Sequence, residues 1–513
     1  MSDPFGGASS VRKQAARERL RWYSAYIGLI ALGMVLATLA WRRAPGVFSI
    51  ALAALLLTAL AWMAKPIVGM HLILLFTLFG DYVTINWFPF AKNLSSVESL
   101  LFVSNQLTIS PLECTLAFAS VCLLLRHRAR HDRPIVIGPL FRPLLVFSGF
   151  VILGFLYGVS RGGDLRVAVF EVRGMLYLPV IYFLISNTCH TARQYRELLW
   201  TAMFGIFGNS LMSLLYLSKL SSEERKNLEA LGEHGAALSM NALFIFTISS
   251  LLFKRASPRG RLLLGALCVP AGWAYLVSQR RAAVIGLSAA LVVLAIVLFW
   301  HQRSRFWRVV PVAILVFVAY LGAFWHSSGS LGFPAQALKT VISPGSLSER
   351  DRGSDLYRQI ENYDLSFTIR QAPVTGLGFG HPFSQPLPLP DISFYEFYRF
   401  IPHNSVLWVW IQTGFFGFVS MFFLFGRAMA LAGRKLRSLT NSDDVIVVAV
   451  GATFVLMYAI FAYVDIAWDP RGTVFLGFAF AICANFPSPE PTADPSPAIR
   501  AGDSLNVTAV DAL

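Results

Sequence analysis

The chain reads as all-α: a polytopic transmembrane helical bundle of about 14 spans, with one large extracytoplasmic loop containing an amphipathic helix. Three observations predict this. Hydrophobic side chains make up 56% of the 513 residues and charged ones 14%, with a mean hydropathy of +0.59, more apolar than a soluble domain that must present a charged surface. Apolar runs recur at the roughly 20-residue length that a span requires. The longest polar interval, residues 326–403, interrupts them once, late in the chain.

In chain order, residues 1–21 form a basic N-terminus (Arg12, Lys13, Arg17, Arg19, Arg21). The first apolar run ends in Trp41-Arg42-Arg43 with no small-residue cleavage site, so it stays attached as a span. The bundle occupies 22–325, with spans expected at 22–41, 46–64, 66–80, 111–125, 140–159, 174–188, 198–217, 236–253, 262–278, 282–300 and 309–325. It resumes over 404–486 with spans at 404–425, 445–464 and 472–486. Residues 487–513, rich in Pro, Ser, Ala and Asp, cannot bury a core and read as a disordered cytoplasmic tail.

The formal charge of +15 is spread over short clusters between apolar runs instead of one stripe. That pattern fits anionic membrane lipid and excludes nucleic acid as the partner. Lys65, Arg126 to Arg133, Arg193 with Arg196, Lys254 to Arg261, Arg303 to Arg308 and Arg427 to Arg437 all fall on one side when the N-terminus is inside. Basic clusters mark cytoplasmic loops, so both termini are cytoplasmic and the loop at 326–403 is outside. Five cysteines without a CxxC, and no histidine at metal spacing, read as small core residues with no metal site.

Outward basic residues run against this rule. Arg161, Arg166 and Arg173 are expected in an outer loop, and Gln279-Arg280-Arg281 fills a tight outer turn. Arginine near hydrocarbon is costly unless paired or wet. Single arginines can snorkel to phosphates, whereas two in one turn point to an anionic ligand. The outer stretches 81–110, with Trp87-Phe88-Pro89-Phe90, and 218–235 carry no recognisable site.

Within the large loop, Leu356, Ile360, Tyr363 and Phe367 recur at helical spacing, with Ser354 as N-cap and Pro373 as terminator. The expected helix spans about 355–371, where Arg358 and Glu361 are neighbours, either as a surface ion pair or as site residues. Gly376, Gly378 and Gly380 alternate in a turn that lets backbone approach a ligand, yet neither a strand-glycine-helix fingerprint nor a Walker lysine accompanies it. Phe394, Tyr395, Phe397 and Tyr398 read as a sugar-stacking lid or a membrane-interface anchor. His403 follows Pro402 and stands beside Asn404 at the mouth of an apolar helix. The unperturbed pKa of a histidine, about 6.5, suits proton transfer at neutral pH.

Taken together, Tyr357-Arg358-x-x-Glu361-Asn362, Pro373-x-x-Gly376-x-Gly378-x-Gly380, Pro402-His403-Asn404-x-x-Leu407 with Gly414-x-x-Gly417, and Arg281-Ala282-Ala283 resemble the O-antigen ligases and Wzy-type polysaccharide polymerases, membrane glycosyltransferases of the C type. The resemblance covers roughly residues 280–420. It implies a bacterial inner-membrane enzyme whose active site faces the periplasm. Its donor would be an undecaprenyl-diphosphate-linked oligosaccharide and its acceptor a glycan or lipid hydroxyl, with no metal or other cofactor. By the same resemblance His403 is the general base, and Arg281 and Arg358 hold the diphosphate. Arg280 stands where the family commonly has serine or threonine, which leaves two adjacent guanidiniums as alternatives for the phosphate contact. Glu361, Asn404, Gly378, Gly380 and Arg173 complete the expected substrate-binding set, and Asp465, Asp469 and Arg471 are secondary candidates in the last outer turn.

Polymerisation of an exopolysaccharide, capsule or O-antigen is the expected activity, with a chain-length regulator and an exporter as partners. Ligation of a finished glycan to lipid A core or protein is the alternative. A lipid-linked glycan flippase or transporter belongs to another class, and tends to show internal repeats and ionisable residues near mid-membrane. No such repeat relates the two halves of this sequence.

Overall fold

The computed structural model describes residues 45–81, 90, 93–95, 108–130, 134–226, 231–253, 257–327, 329–342, 349–390 and 397–487. Among these, every regular element is helical. The first half of the chain supplies α1 (Pro45–Ala64), α2 (Pro66–Phe79), α3 (Pro111–Arg130), α4 (Phe141–Ser160), α5 (Leu165–Thr188), α6 (Ala192–Lys219) and the short α7 (Ser222–Lys226). There follow α8 (His234–Phe253), α9 (Pro258–Ser278), α10 (Arg281–His301), α11 (Arg303–Phe324), α12 (Phe333–Ile342), α13 (Glu349–Gln371), α14 (Ser405–Ser438), α15 (Ser442–Val464) and α16 (Pro470–Asn485).

Nine of the described helices, α4, α5, α6, α8, α9, α10, α11, α14 and α15, are long and apolar enough to cross a membrane. Each span expected from 46–64 onward falls on a helix, and the one at 22–41 lies outside the described residues. Local sequence sets the helix starts. Thr191 and Gln194 form a capping box for α6, while Asp164 and Asn441 accept backbone N–H bonds at the starts of α5 and α15. Asp469 does the same for α16, where Pro470 opens the helix without wasting a donor.

The core is centred on α15, which packs against α8, α10, α14 and α16. Its hydrophobic window is 83% buried inside the protein, whereas no residue in that of α11 is fully buried. A helix as apolar as α11 that buries so little of itself against protein has lipid as its natural surroundings. The bundle has two chemically distinct ends. At one, Arg196 meets Asp443 at 3.4 Å. At the other, Asp465 caps the C-terminus of the 23-residue α15, about 33 Å away at helical rise.

Three boundaries and one helix interior that bear on the site differ from the sequence expectation. α5 begins at Leu165, not near 174, because Asp164 caps it, so Arg166 and Arg173 stand on the helix and the outer turn shrinks. α13 begins at Glu349, which places Ser354 inside the helix and not at its cap. α14 continues to Ser438, and the basic run Arg427 to Arg437 is its last turns, with long side chains carrying the helix past its apolar part. It is also broken at Gly414 (φ 69°, ψ −175°), a backbone state open essentially to glycine alone.

Candidate functional site

Four helix ends meet where α13 lies across the bundle: the start of α8 at His234, the α9–α10 turn at Gln279 to Arg281, the start of α14 after Asn404, and the end of α15 at Asp465. Gln279 takes a left-handed conformation (φ 49°), which turns the chain sharply enough to set Arg280 and Arg281 side by side at the head of α10. Arg281 reaches up to α13 and grips Asp355 with both terminal nitrogens, at 2.7 and 3.3 Å. Arg280 turns to Asp465, 3.7 Å away.

His403 is held at two atoms by one buried carboxylate. Its Nδ1 lies 3.2 Å from Glu361 Oε1, and its backbone N–H donates to Glu361 Oε2 at 3.1 Å. Glu361 is 1% exposed, so the carboxylate is fixed from below while a quarter of the His403 side chain stays accessible. Because an ionised carboxylate only accepts, Nδ1 carries the proton and Nε2 keeps its lone pair. Next along, Asn404 caps α14 through Leu407 N–H and donates to Asn362 Oδ1 at 2.9 Å, which ties the helix mouth to α13 a second time. The ring of Tyr357 meets His403 edge-on at 5.5 Å. Burial and the Glu361 charge push its phenol above the ordinary range, so it stays a proton donor.

Opposite stands His234, its ring centroid 6.1 Å from that of His403. His234 Nδ1 contacts Asp465 Oδ1 at 2.6 Å. Burial acts to raise the Asp465 carboxyl, but the neighbouring His234 and Arg280 hold it well below the usual carboxylate range. The Asp465 carbonyl also accepts the Ser405 hydroxyl, locking the end of α15 to the start of α14. Arg358 lies between Glu361 and Asn362 around the α13 circumference, on the face that carries Asp355. It is half-buried and, among the described residues, has no ion pair or hydrogen bond. Its expected pairing with Glu361 is absent there, because Glu361 serves His403.

The glycine turn does something other than cradle a ligand. Residues 374–380 thread between α4, α5 and the break in α14. Leu377 N–H donates to the Ile411 carbonyl at 2.7 Å, and Phe415 N–H to the Val374 carbonyl at 3.1 Å. These bonds satisfy backbone groups that the break at Gly414 would otherwise strand in an apolar interior. A Cβ on Gly378 would lie 2.5 Å from Gly158 N, and one on Gly380 2.6 Å from the Asp164 carbonyl. The close approach they permit is to the chain's own helices. Gly380 N–H is received by buried Glu171 at 2.7 Å, and Gln412 Nε2 donates to the other oxygen of that carboxylate at 3.1 Å.

Among the expected site residues, His403, Glu361, Asn404, Arg280 and Arg281 gather in one cluster, and Arg358 faces it. Arg173 is committed elsewhere: it bonds to Asn93 and to the Thr108 carbonyl, lies 3.7 Å from Glu113, and stacks over Phe170 at 4.3 Å. Phe170 in turn stacks on Phe397 at 4.5 Å, so one of the four expected lid aromatics is anchored to α5. Phe394 and Tyr395 lie outside the described residues, as do Trp87, Phe88, Pro89 and the termini 1–44 and 488–513.

The stretch 218–235, expected to carry no recognisable site, ends with His234 beside His403, a residue that a sequence reader meets as one histidine before a small-residue run. Asp465, Asp469 and Arg471 do not pair as a group. Arg471 is buried against Asp81 at 3.1 Å and Glu233 at 3.4 Å, and Asp469 caps α16. Among the described residues no three His, Cys, Asp or Glu side chains converge as a metal-ligand set.

Residues 266–422 match a family model described as O-Antigen ligase. No curated protein matches the chain. The matched segment contains Arg280, Arg281, Asp355, Arg358, Glu361 and His403, while His234 and Asp465 lie outside it. The match supports a membrane glycan-processing enzyme of the O-antigen ligase and Wzy type.

Proposed function

We propose that the chain transfers a glycan from undecaprenyl diphosphate to an acceptor hydroxyl at the periplasmic face of the bacterial inner membrane, as a polymerase of repeat units. The observation that carries this reading is the His403–Glu361 pair set among outward arginines inside the matched segment. A sugar hydroxyl is a poor nucleophile, and a positioned base accelerates its attack by roughly 10² to 10⁴-fold. His403 Nε2 takes the hydroxyl proton as the oxygen attacks the anomeric carbon. The bond to the lipid diphosphate breaks, and Arg281, Arg358 and Arg280 neutralise the charge gathering on the leaving group. Neither nucleotide nor metal is required, since the diphosphate is itself the activated leaving group. Asn404 and Glu361 set the base; Gly378 and Gly380 hold the scaffold behind it. A chain-length regulator and an exporter are the partners this reading calls for.

The description of the matched family favours a second reading, ligation of a finished glycan to lipid A core or protein. Both share the donor half-reaction. Purified protein given undecaprenyl-diphosphate oligosaccharide should release undecaprenyl diphosphate, and His403→Ala should abolish release. Chain extension of the donor itself identifies a polymerase, and transfer only to added lipid A core identifies a ligase. Unchanged release by His403→Ala would falsify the base assignment.

A further inference from the structure

We propose that His234, anchored by Asp465, is a second imidazole of the transfer site and receives the proton that His403 removes from the acceptor hydroxyl. The inference deepens the glycosyl-transfer reading and rests on it.

The two histidines are built alike. Each has Nδ1 on a buried carboxylate, Glu361 for His403 at 3.2 Å and Asp465 for His234 at 2.6 Å. Each side chain is 25% exposed, and each carboxylate at most 2%. In both, Nε2 has no partner among the described residues, which leaves two lone-pair acceptors on rings 6.1 Å apart and inclined at 60°. Rings with centroids 6.1 Å apart stand too far apart for a direct hydrogen bond, and proton passage between them runs through one water. The charged groups facing His234 from the surrounding elements are Asp465 and Arg280, with His403 across the gap. Glu233, its chain neighbour, is turned away to Arg471, and Asp469 is occupied at Gly472 N–H.

In the first step the acceptor O–H bond breaks, its proton goes to His403 Nε2, and the oxygen pair forms the new bond to the anomeric carbon. The C–O bond to diphosphate breaks with its electron pair on the leaving group. His403 is then an imidazolium locked to Glu361, and it must lose a proton before the next turnover. A second imidazole, held on its own buried carboxylate across the gap, is placed to accept it. The His403 N–H bond breaks, the proton passes to His234 Nε2 and from there to water at the exposed edge, and both rings return to their starting state.

A purely structural His234–Asp465 pair would hold helix ends together without touching the proton inventory. Release of undecaprenyl diphosphate, measured from about pH 5 to 8 where imidazoles titrate, separates the two. His234→Gln should lower kcat by about tenfold, less than loss of a general base, with donor KM unchanged. The acid limb should fall from a two-proton to a one-proton dependence. Wild-type kcat with an unchanged two-proton limb overturns the proposal, even if the variant melts earlier, and so does an effect confined to KM. If His403→Ala turns over normally the transfer reading falls; if it is inactive while His234→Gln behaves as wild type, only this inference falls. Should His234→Gln fail to fold, nitrogen-15 spectra of the wild-type imidazoles decide. The Nδ1–H tautomer on both rings is expected, and an Nε2–H tautomer on His234 overturns the relay.

Discussion

Arg281 and Asp355 are joined by two hydrogen bonds, and through them the first residue of a membrane-crossing helix holds the loop helix α13 over the site. The guanidinium fork that the proposed reaction assigns to diphosphate is thus occupied by a carboxylate at 2.7 Å. Donor binding requires the lipid diphosphate to displace or share that carboxylate. Asp355→Asn keeps the shape and removes the competing charge, so donor KM should fall several-fold. A raised KM in steady-state assays would show that Asp355 orients Arg281 and does not compete for it.

Arg358 is the complementary case, a half-buried cation with no partner among the described residues. Arg358→Ala removes only what substrate would use. A charge-assisted hydrogen bond is worth about 1.5–3 kcal/mol, which predicts a loss of roughly 10- to 100-fold in kcat/KM at about 1.4 kcal/mol per tenfold. The unfolding midpoint should move by no more than about 0.5 kcal/mol equivalent. A large stability loss with intact turnover would instead make Arg358 a structural residue.

Gly414→Ala should be among the most damaging single changes in the chain. Its φ of 69° disfavours a side chain sterically, and a Cβ would run into the Val374 carbonyl. Strain at such a position costs about 1–3 kcal/mol before the clash is counted. Detergent extracts should yield aggregated or protease-sensitive protein. Gly426→Ala, where nothing lies within 4 Å of the new carbon, is the matched control.

Asp465→Ala strands His234 and Arg280 at a buried helix end. Breaking a buried pair from one side costs about 3–5 kcal/mol, readable as an earlier thermal transition. The carboxyl is depressed in the folded state, so its stabilisation is fully present above the unfolded value, near 3.9, and is lost as pH falls through the lower folded one. Between about pH 8 and 5 this group should leave stability flat. A variant whose deficit vanishes already at pH 6 would contradict the assignment.

The helices were legible because lipid demands long apolar runs, and each such run in the described residues became a helix. His403, Arg281 and the α13 motif were legible because polar residues at the edge of apolar runs stand out. His234 was not: one imidazole before a run of small residues gains meaning only from Asp465, 231 positions away in the chain. Arg173 was misplaced because Asp164 caps a helix whose first turns carry Arg166, Glu171 and Arg173, a composition that reads as loop until its partners Glu113 and Phe170 are seen. The glycines were read as an approach for a ligand, and the same freedom serves an approach between backbones that no local pattern distinguishes.

The threading of residues 374–380 makes their slot depend on helices made long before and just after them. Their slot is walled on one side by α4 and α5, synthesised more than 180 residues earlier, and on the other by the broken α14, synthesised just afterwards. Until α14 inserts, Glu171 and the carbonyl of Gly154 have only half their seat, and Gln412 has yet to emerge from the ribosome. The same helix carries His403 to Glu361 at its mouth, so the candidate site is complete only once α14 is seated.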